Sequence, residues 1–193
     1  MADGKTLLMI VGAATPPGRL AAAVAAAAEM ATAAGGVAAI LNLAETAIEI
    51  CDGRALEAYG AAMRQAIADL QSAAAVLIAA PVYRASYPGI LKNLLDIAPV
   101  EALQNKPVGI VAMGGSPHHF LGVDWQLRAV LTWFGALVLP TSVYLTGSDF
   151  RDGKLASESA SRDLAALTQT LGTMASRLDP ATLGPPPLAA RFT

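Results

Sequence analysis

Three short segments carry residue types that could grip a small, flat, anionic ligand. Gly12–Arg19 (GAATPPGR) joins an apolar run to an Ala-rich stretch. Free backbone N–H groups and a helix dipole could hold a phosphate there, with Gly12 and Gly18 in the loop, Thr15 adding a hydroxyl and Arg19 a charge. A plain turn is the competing reading, because Pro16 and Pro17 remove two donors and many such loops bind nothing. Pro81–Asp96 (PVYRASYPGILKNLLD) starts as a loop and runs into a helix with Pro88 near its first turn. In Met113–His119 (MGGSPHH), Gly114 and Gly115 let the backbone approach a flat ring closely.

Other chemistries find little support. His118 and His119 are adjacent but lack a third ligand, so no metal site is expected and both read as positional or solvent residues. Cys51 is the only cysteine, which rules out an intrachain disulfide, a cysteine zinc site and an iron–sulfur cluster. Thirteen Lys and Arg against fifteen Asp and Glu give a net charge of −2 with no basic cluster, so nucleic acid is not an expected partner. Hydrophobic residues make up 54% of the chain, but much of that is alanine, as in Ala21–Ala28. No apolar stretch reaches the roughly 18 residues of a membrane span. The opening MADGK lacks the charged-then-apolar order of a secretory signal. A cytoplasmic protein without a membrane partner is expected.

The three segments need elements to hold them. Thr6–Val11 (TLLMIV), Val37–Leu43, Ala73–Ala80 (AAAVLIAA), Pro107–Met113 (PVGIVAM) and Leu137–Tyr144 (LVLPTSVY) are short apolar runs that read as strands. Between and after them, Arg19–Ala34, Ala55–Ser72, the segment after Pro88, Val123–Thr132 and Ser157–Leu178 read as helices. Five strands alternating with five helices imply an α/β fold with a doubly wound parallel sheet, and the order 2-1-3-4-5 is expected. In such a sheet the ligand crevice lies outside the C-terminal strand ends, where all three segments fall. One domain is expected over residues 1–179. Pro180 and Pro185–Pro187 close the last helix and predict an extended tail over 180–193.

The second segment resembles the NAD(P)H-dependent FMN reductase family, of flavodoxin-like fold. That family's pattern after the third strand is Pro-x-Tyr-x-x-Ser-x-Pro-Gly-x-Leu-Lys-Asn-x-x-Asp. Pro81, Tyr83, Ser86, Pro88, Gly89, Leu91, Lys92, Asn93 and Asp96 match it. From Ala80 through Leu131 the chain looks like the flavin reductase component of two-component alkanesulfonate monooxygenases. Ala102-Leu103-Gln104-x-Lys106 and the Gly-Gly-x-x-x-His-x-x-x-Val-Asp run at Gly114–Asp124 carry this likeness. The first loop departs from the family's Gly-Ser-x-Arg pattern, having Gly12-Ala13-Ala14-Thr15 and Gly18 instead.

The resemblance implies FMN held between Pro81–Ser86, including Val82 and Arg84, and Gly114–Ser116, with the glycine pair against the flavin's pyrimidine end. Backbone amides, Thr15 and Arg19 would hold its phosphate, and loosely. A hydride would pass from NADPH or NADH to the flavin, and the reduced flavin would go to a separate monooxygenase of the sulfonate type. Arg84 could meet the nicotinamide cofactor's phosphates or stand in solvent. Lys92, Asp96 and Trp125 are expected at the interface of a homodimer or homotetramer; Trp125 occupies the place of an aromatic residue that forms a π-helical bulge in the resembled subgroup, and a buried interface tryptophan without a bulge is the alternative. Two rival functions share the fold, namely a flavin-retaining quinone or azo-dye reductase and a non-enzymatic scaffold.

Overall fold

The computed structural model describes residues 5–185. Every side chain of Thr6–Val11 beyond the first is buried, which suits a strand covered on both faces, and this run forms β1. Gly18 opens α1 (Arg19–Ala33), whose alanines allow close packing, and the chain returns as β2 (Val37–Asn42). There follow α2 (Ala61–Ser72), β3 (Ala75–Pro81), α3 (Gly89–Ile97), β4 (Pro107–Met113) and α4 (Leu121–Trp133). The remaining elements are β5 (Leu137–Val138), β6 (Val143–Leu145), β7 (Phe150–Arg151), β8 (Lys154–Leu155) and α5 (Glu158–Arg177).

The sheet is parallel in the order β2-β1-β3-β4-β5, with β6 also pairing to β4, so the expected 2-1-3-4-5 winding is observed. Alternate strand residues face opposite layers. Leu8, Ile10, Val76, Ile78, Val108 and Ile110 pack under α2, α3 and α4. Leu7, Met9, Val11, Leu77 and Val111 pack under α1 and α5. Each fully buried Leu, Ile or Met in these layers contributes about 1.5–3 kcal/mol of burial.

Four local expectations need correction. The fifth strand is not continuous from Leu137 to Tyr144: Pro140 lacks an N–H, and the strand breaks into β5 and β6, which both pair with β4. The helix expected from Ala55 starts at Ala61, after a 3-10 turn at Leu56–Ala58 and an extended Gly60. A small antiparallel hairpin, β7–β8, was not anticipated. Pro180–Thr182 forms a 3-10 turn rather than extended chain, and the Asn105 side-chain amide donates to Pro180 O at 2.8 Å and Leu183 O at 3.0 Å. Residues 186–193 of the expected tail lie outside the described residues. Among the described residues no helix is long and apolar enough to cross a membrane.

Candidate functional site at the C-terminal strand ends

The loop after β1 is built for close packing at one end and for an open cavity at the other. Gly12 N–H donates to Ala79 O at 2.7 Å, and a β-carbon on Gly12 would lie 3.0 Å from both that oxygen and Leu91 Cδ2. Gly12 therefore lets β1 close against β3 and α3; its N–H is not available to a ligand. Beyond it, Thr15, Gly18 and Arg19 line a cavity of ≈ 260 Å³ together with Val11, Pro81 and Met113. Among the described residues no side chain caps the start of α1, and its first turn holds no acidic residue. The first-turn amides, which have no partner within a helix, thus face a cavity without a competing carboxylate. The Arg19 guanidinium also lies over Gly147, where a β-carbon would stand 2.6 Å from one of its nitrogens.

The loop after β3 is a tight two-residue turn. Tyr83 N–H donates to Ser86 O at 2.7 Å and Ser86 N–H donates to Tyr83 O at 3.0 Å. The two central residues are Arg84 at φ 51° and Ala85 at φ 61°. Such a turn normally recruits Asn or Gly, because left-handed backbone strains residues with a β-carbon. Tyr83, Arg84 and Ala85 are exposed. The turn is docked from two sides: Val82 N–H donates to Met113 O at 2.8 Å, and Gly122 at the start of α4 packs against Val82 and Ala85.

The loop after β4 presents an open glycine beside a closed one. Gly114 is buried, its N–H donates to Leu145 O at 3.0 Å, and a β-carbon there would collide with the hydroxyl of Tyr144. Gly115 is exposed, with open space where its β-carbon would be. Among the described residues, the N–H groups of Gly115 and Ser116 find no backbone acceptor. The Tyr144 hydroxyl donates to Ser116 O at 2.6 Å, and burial raises its pKa, so it remains a donor through the neutral range. His118 and His119 lie exposed on a 3-10 turn. Among the described residues no three His, Cys, Asp or Glu side chains gather as a metal-holding group.

These pieces converge. Pro81 pairs with Met113 in the β3–β4 ladder, and both border the cavity that Thr15 and Arg19 line. The expected interface residues lie elsewhere, on α3 and α4. Lys92 and Asp96 form an ion pair one helical turn apart, and the Asp96 hydrogen bond raises the Lys92 pKa. They border a cavity of ≈ 430 Å³ between the two helices, with Leu95, Val130, Trp133 and Phe134. Trp125 is 70% exposed and Trp133 56%. The helix runs as regular α-helix through Trp125, without a π-bulge.

Sequence reasoning missed Tyr144, Gly122 and Gly147, whose parts depend on tertiary contacts. It also missed what Asn93 does, which is to grip the β2–α2 loop.

The sequence pattern of the family described as NADPH-dependent FMN reductase matches residues 6–150. A relative named NADH-dependent FMN reductase SfnF, from Pseudomonas fluorescens (strain Pf0-1), is 46% identical over 89 residues, 46% of this chain and 48% of the relative. One named FMN reductase (NADPH), from Pseudomonas aeruginosa, is 44% identical over 95 residues, 49% of this chain and 51% of the relative. The chain thus spans about half the length of the curated relatives it matches. Among solved structures, an NADH:FMN oxidoreductase (EMOB) in its apo form superposes with a TM-score of 0.75 at 25% identity, covering 92% of this chain and 93% of that one. An archaeal flavodoxin shares the fold at a TM-score of 0.64 and 9% identity, over 90% of this chain and 99% of that one. With the family pattern running from Thr6 to Phe150, from β1 to the start of β7, the chain belongs to the NADPH-dependent FMN reductase family.

Proposed function

We propose that this chain binds FMN in the crevice above β1, β3 and β4 and acts as a reductase that draws on NADPH or NADH. The observation that carries this reading is the convergence on one side of the sheet of an uncapped helix start, a strained exposed turn and an open glycine. The donor set fits the ligand. Uncapped amides, Thr15 and Arg19 suit a phosphate. Gly115, with no side chain and with open space beside it, suits a flat ring.

FMN, when bound, supplies the hydride-accepting chemistry. The chain's part is to orient and to bind. Thr15, Gly18 and Arg19 take the phosphate, while Gly12 acts by closing β1 on β3. Pro81, Val82, Tyr83 and Ser86 border one side of the ring, and Gly114, Gly115 and Ser116 border the other. Arg84, at the tip of the turn, meets the phosphates of the nicotinamide cofactor. A site made of amides, one hydroxyl and one guanidinium has few charge-assisted bonds, so it releases its ligand readily. Ready release suits delivery of reduced flavin to a separate flavin-dependent monooxygenase, of the sulfonate type. The exposed Trp125 and Trp133 of α4, with Lys92 and Asp96 of α3, form the contact surface of a homo-oligomer.

The test is nicotinamide oxidation followed by absorbance, with NADPH and with NADH, each with and without free FMN. FMN-dependent turnover supports the reading, and the faster nicotinamide identifies the preference. No turnover together with no FMN binding overturns it in favour of a scaffold.

A further inference from the structure

Tyr144 belongs to no motif, yet its side chain engages the loop after β4 at two points. Its hydroxyl donates to Ser116 O at 2.6 Å across 28 residues of sequence. The same hydroxyl, with the ring carbon that bears it, occupies the space that a β-carbon on Gly114 would need. The next residue on β6, Leu145, accepts from Gly114 N–H at 3.0 Å, and β6 is itself held to β4 by the pairs Ala112–Tyr144 and Met113–Leu145. The loop is therefore tied at Gly114 by backbone and at Ser116 by a phenol, while Gly115 between them stays open.

Hydrogen bonding at this loop is divided. The Ser116 carbonyl accepts from the Tyr144 hydroxyl at 2.6 Å and, over a longer 3.5 Å, from His119 N–H, whereas the N–H groups of Gly115 and Ser116 have no backbone acceptor among the described residues. Without the phenol this carbonyl would keep only the long bond from His119 N–H, and a carbonyl so weakly held would turn toward the ligand and repel the acceptor oxygens of a flavin's pyrimidine end. Resting on the FMN reading above, we infer that Tyr144 is a positioning residue for the flavin: its hydroxyl anchors the Ser116 carbonyl so that the Gly115 and Ser116 amides are presented together to the ring's acceptors.

The experiment uses the full-length protein and Tyr144→Phe, which keeps the ring beside Gly114 and removes the hydroxyl, both the donor to Ser116 O and the atom nearest Gly114. FMN affinity is read from quenching of flavin fluorescence on titration with apoprotein. Amide hydrogen exchange of Gly114–Ser116 is read with saturating FMN, and melting temperature is followed by circular dichroism. The expected result is FMN binding weaker by about three- to tenfold, the worth of one hydrogen bond. With FMN bound, exchange at Gly115 and Ser116 should be faster in the variant than in the parent, and melting should shift by no more than about 4 °C. A purely structural tyrosine would instead lower melting and leave the affinity of the folded protein unchanged. Unchanged affinity and unchanged exchange in the variant overturn the role of Tyr144 while leaving the FMN reading intact. Absence of FMN binding by the parent protein overturns both.

Discussion

The side-chain oxygen of Asn93 on α3 accepts the N–H of Cys51 at 2.8 Å, across 42 residues of sequence. The amide nitrogen of the same side chain donates to Glu49 O at 2.7 Å. One side chain thus satisfies two backbone groups of the irregular β2–α2 loop, which has no ladder to join. Asn93→Leu should cost about 2–3 kcal/mol of stability, by loss of two bonds with their partners left unpaired. Asn93→Asp keeps the acceptor for Cys51 and should cost about half of that. Urea denaturation of the two variants checks the order, and equal stability of Asn93→Leu and the parent would remove the clamp.

The paired glycines should separate by experiment. Gly114→Ala puts a β-carbon into the Tyr144 hydroxyl and should lower melting temperature clearly. Gly115→Ala meets open space in the free protein, so stability should hold. FMN affinity, read by fluorescence quenching, should nonetheless fall more than about tenfold, because a methyl group then stands where the ring approaches. Equal FMN affinity for Gly115→Ala and the parent would place the ring elsewhere.

The turn at Arg84–Ala85 carries strain that a change of residue should release. Left-handed backbone costs an L-residue about 1–2 kcal/mol, and Asn-Gly adopts this turn readily. The double variant Arg84→Asn, Ala85→Gly should therefore be more stable by about 1 kcal/mol, less than the full strain because glycine loses more entropy on folding. Chemical denaturation measures this, and a less stable variant would mean that the native side chains offset the strain through contacts of their own.

Lys106 should give the protein a distinctive alkaline response. It is 6% exposed, its ammonium donates to Leu70 O at 2.6 Å and Gln71 O at 3.0 Å at the end of α2, and burial pushes its pKa down to about 8. The folded value lies below the unfolded one of about 10.4, so the unfolded chain binds more protons between these values and stability rises with pH across that window. The neutral amine retains two N–H donors for its two carbonyls. Urea midpoints from pH 7.5 to 10 should rise for the parent relative to Lys106→Met, and parallel profiles would exclude the effect.

Self-association should depend on the exposed tryptophans of α4. Light scattering should give a dimer or tetramer for the parent, and Trp125→Glu with Trp133→Glu should give a monomer of unchanged circular dichroism. A monomeric parent would leave this face without its partner.

The fold was legible because its signals are local. β1 and β4 begin and end where their apolar runs do, α2 lies within its expected segment but starts six residues late, and α4 runs past its segment at both ends. The break at Pro140 could have been read from the missing N–H alone. The β7–β8 hairpin also had a signal, since Asp152-Gly153 is a strong two-residue turn pair, found here with φ of 51° and 77°. In the site, the three loops could be placed because strand ends place them. What stayed hidden is long-range: Tyr144 reaches Ser116 from another strand, Gly147 makes room for Arg19, and Gly12 spends its N–H on Ala79. No spacing in the chain encodes such contacts.

The two margins of the sheet carry unequal risk of misassembly. At one, Pro140 divides the last strand into pieces of two and three residues, too short to template pairing with another molecule. At the other, β2 runs unbroken for six residues, pairs with β1 alone among the described residues, and exposes Val37 and Ile40. Strand-to-strand aggregation of this protein would begin at β2, and a lysine or proline placed there is the change that would most directly protect it.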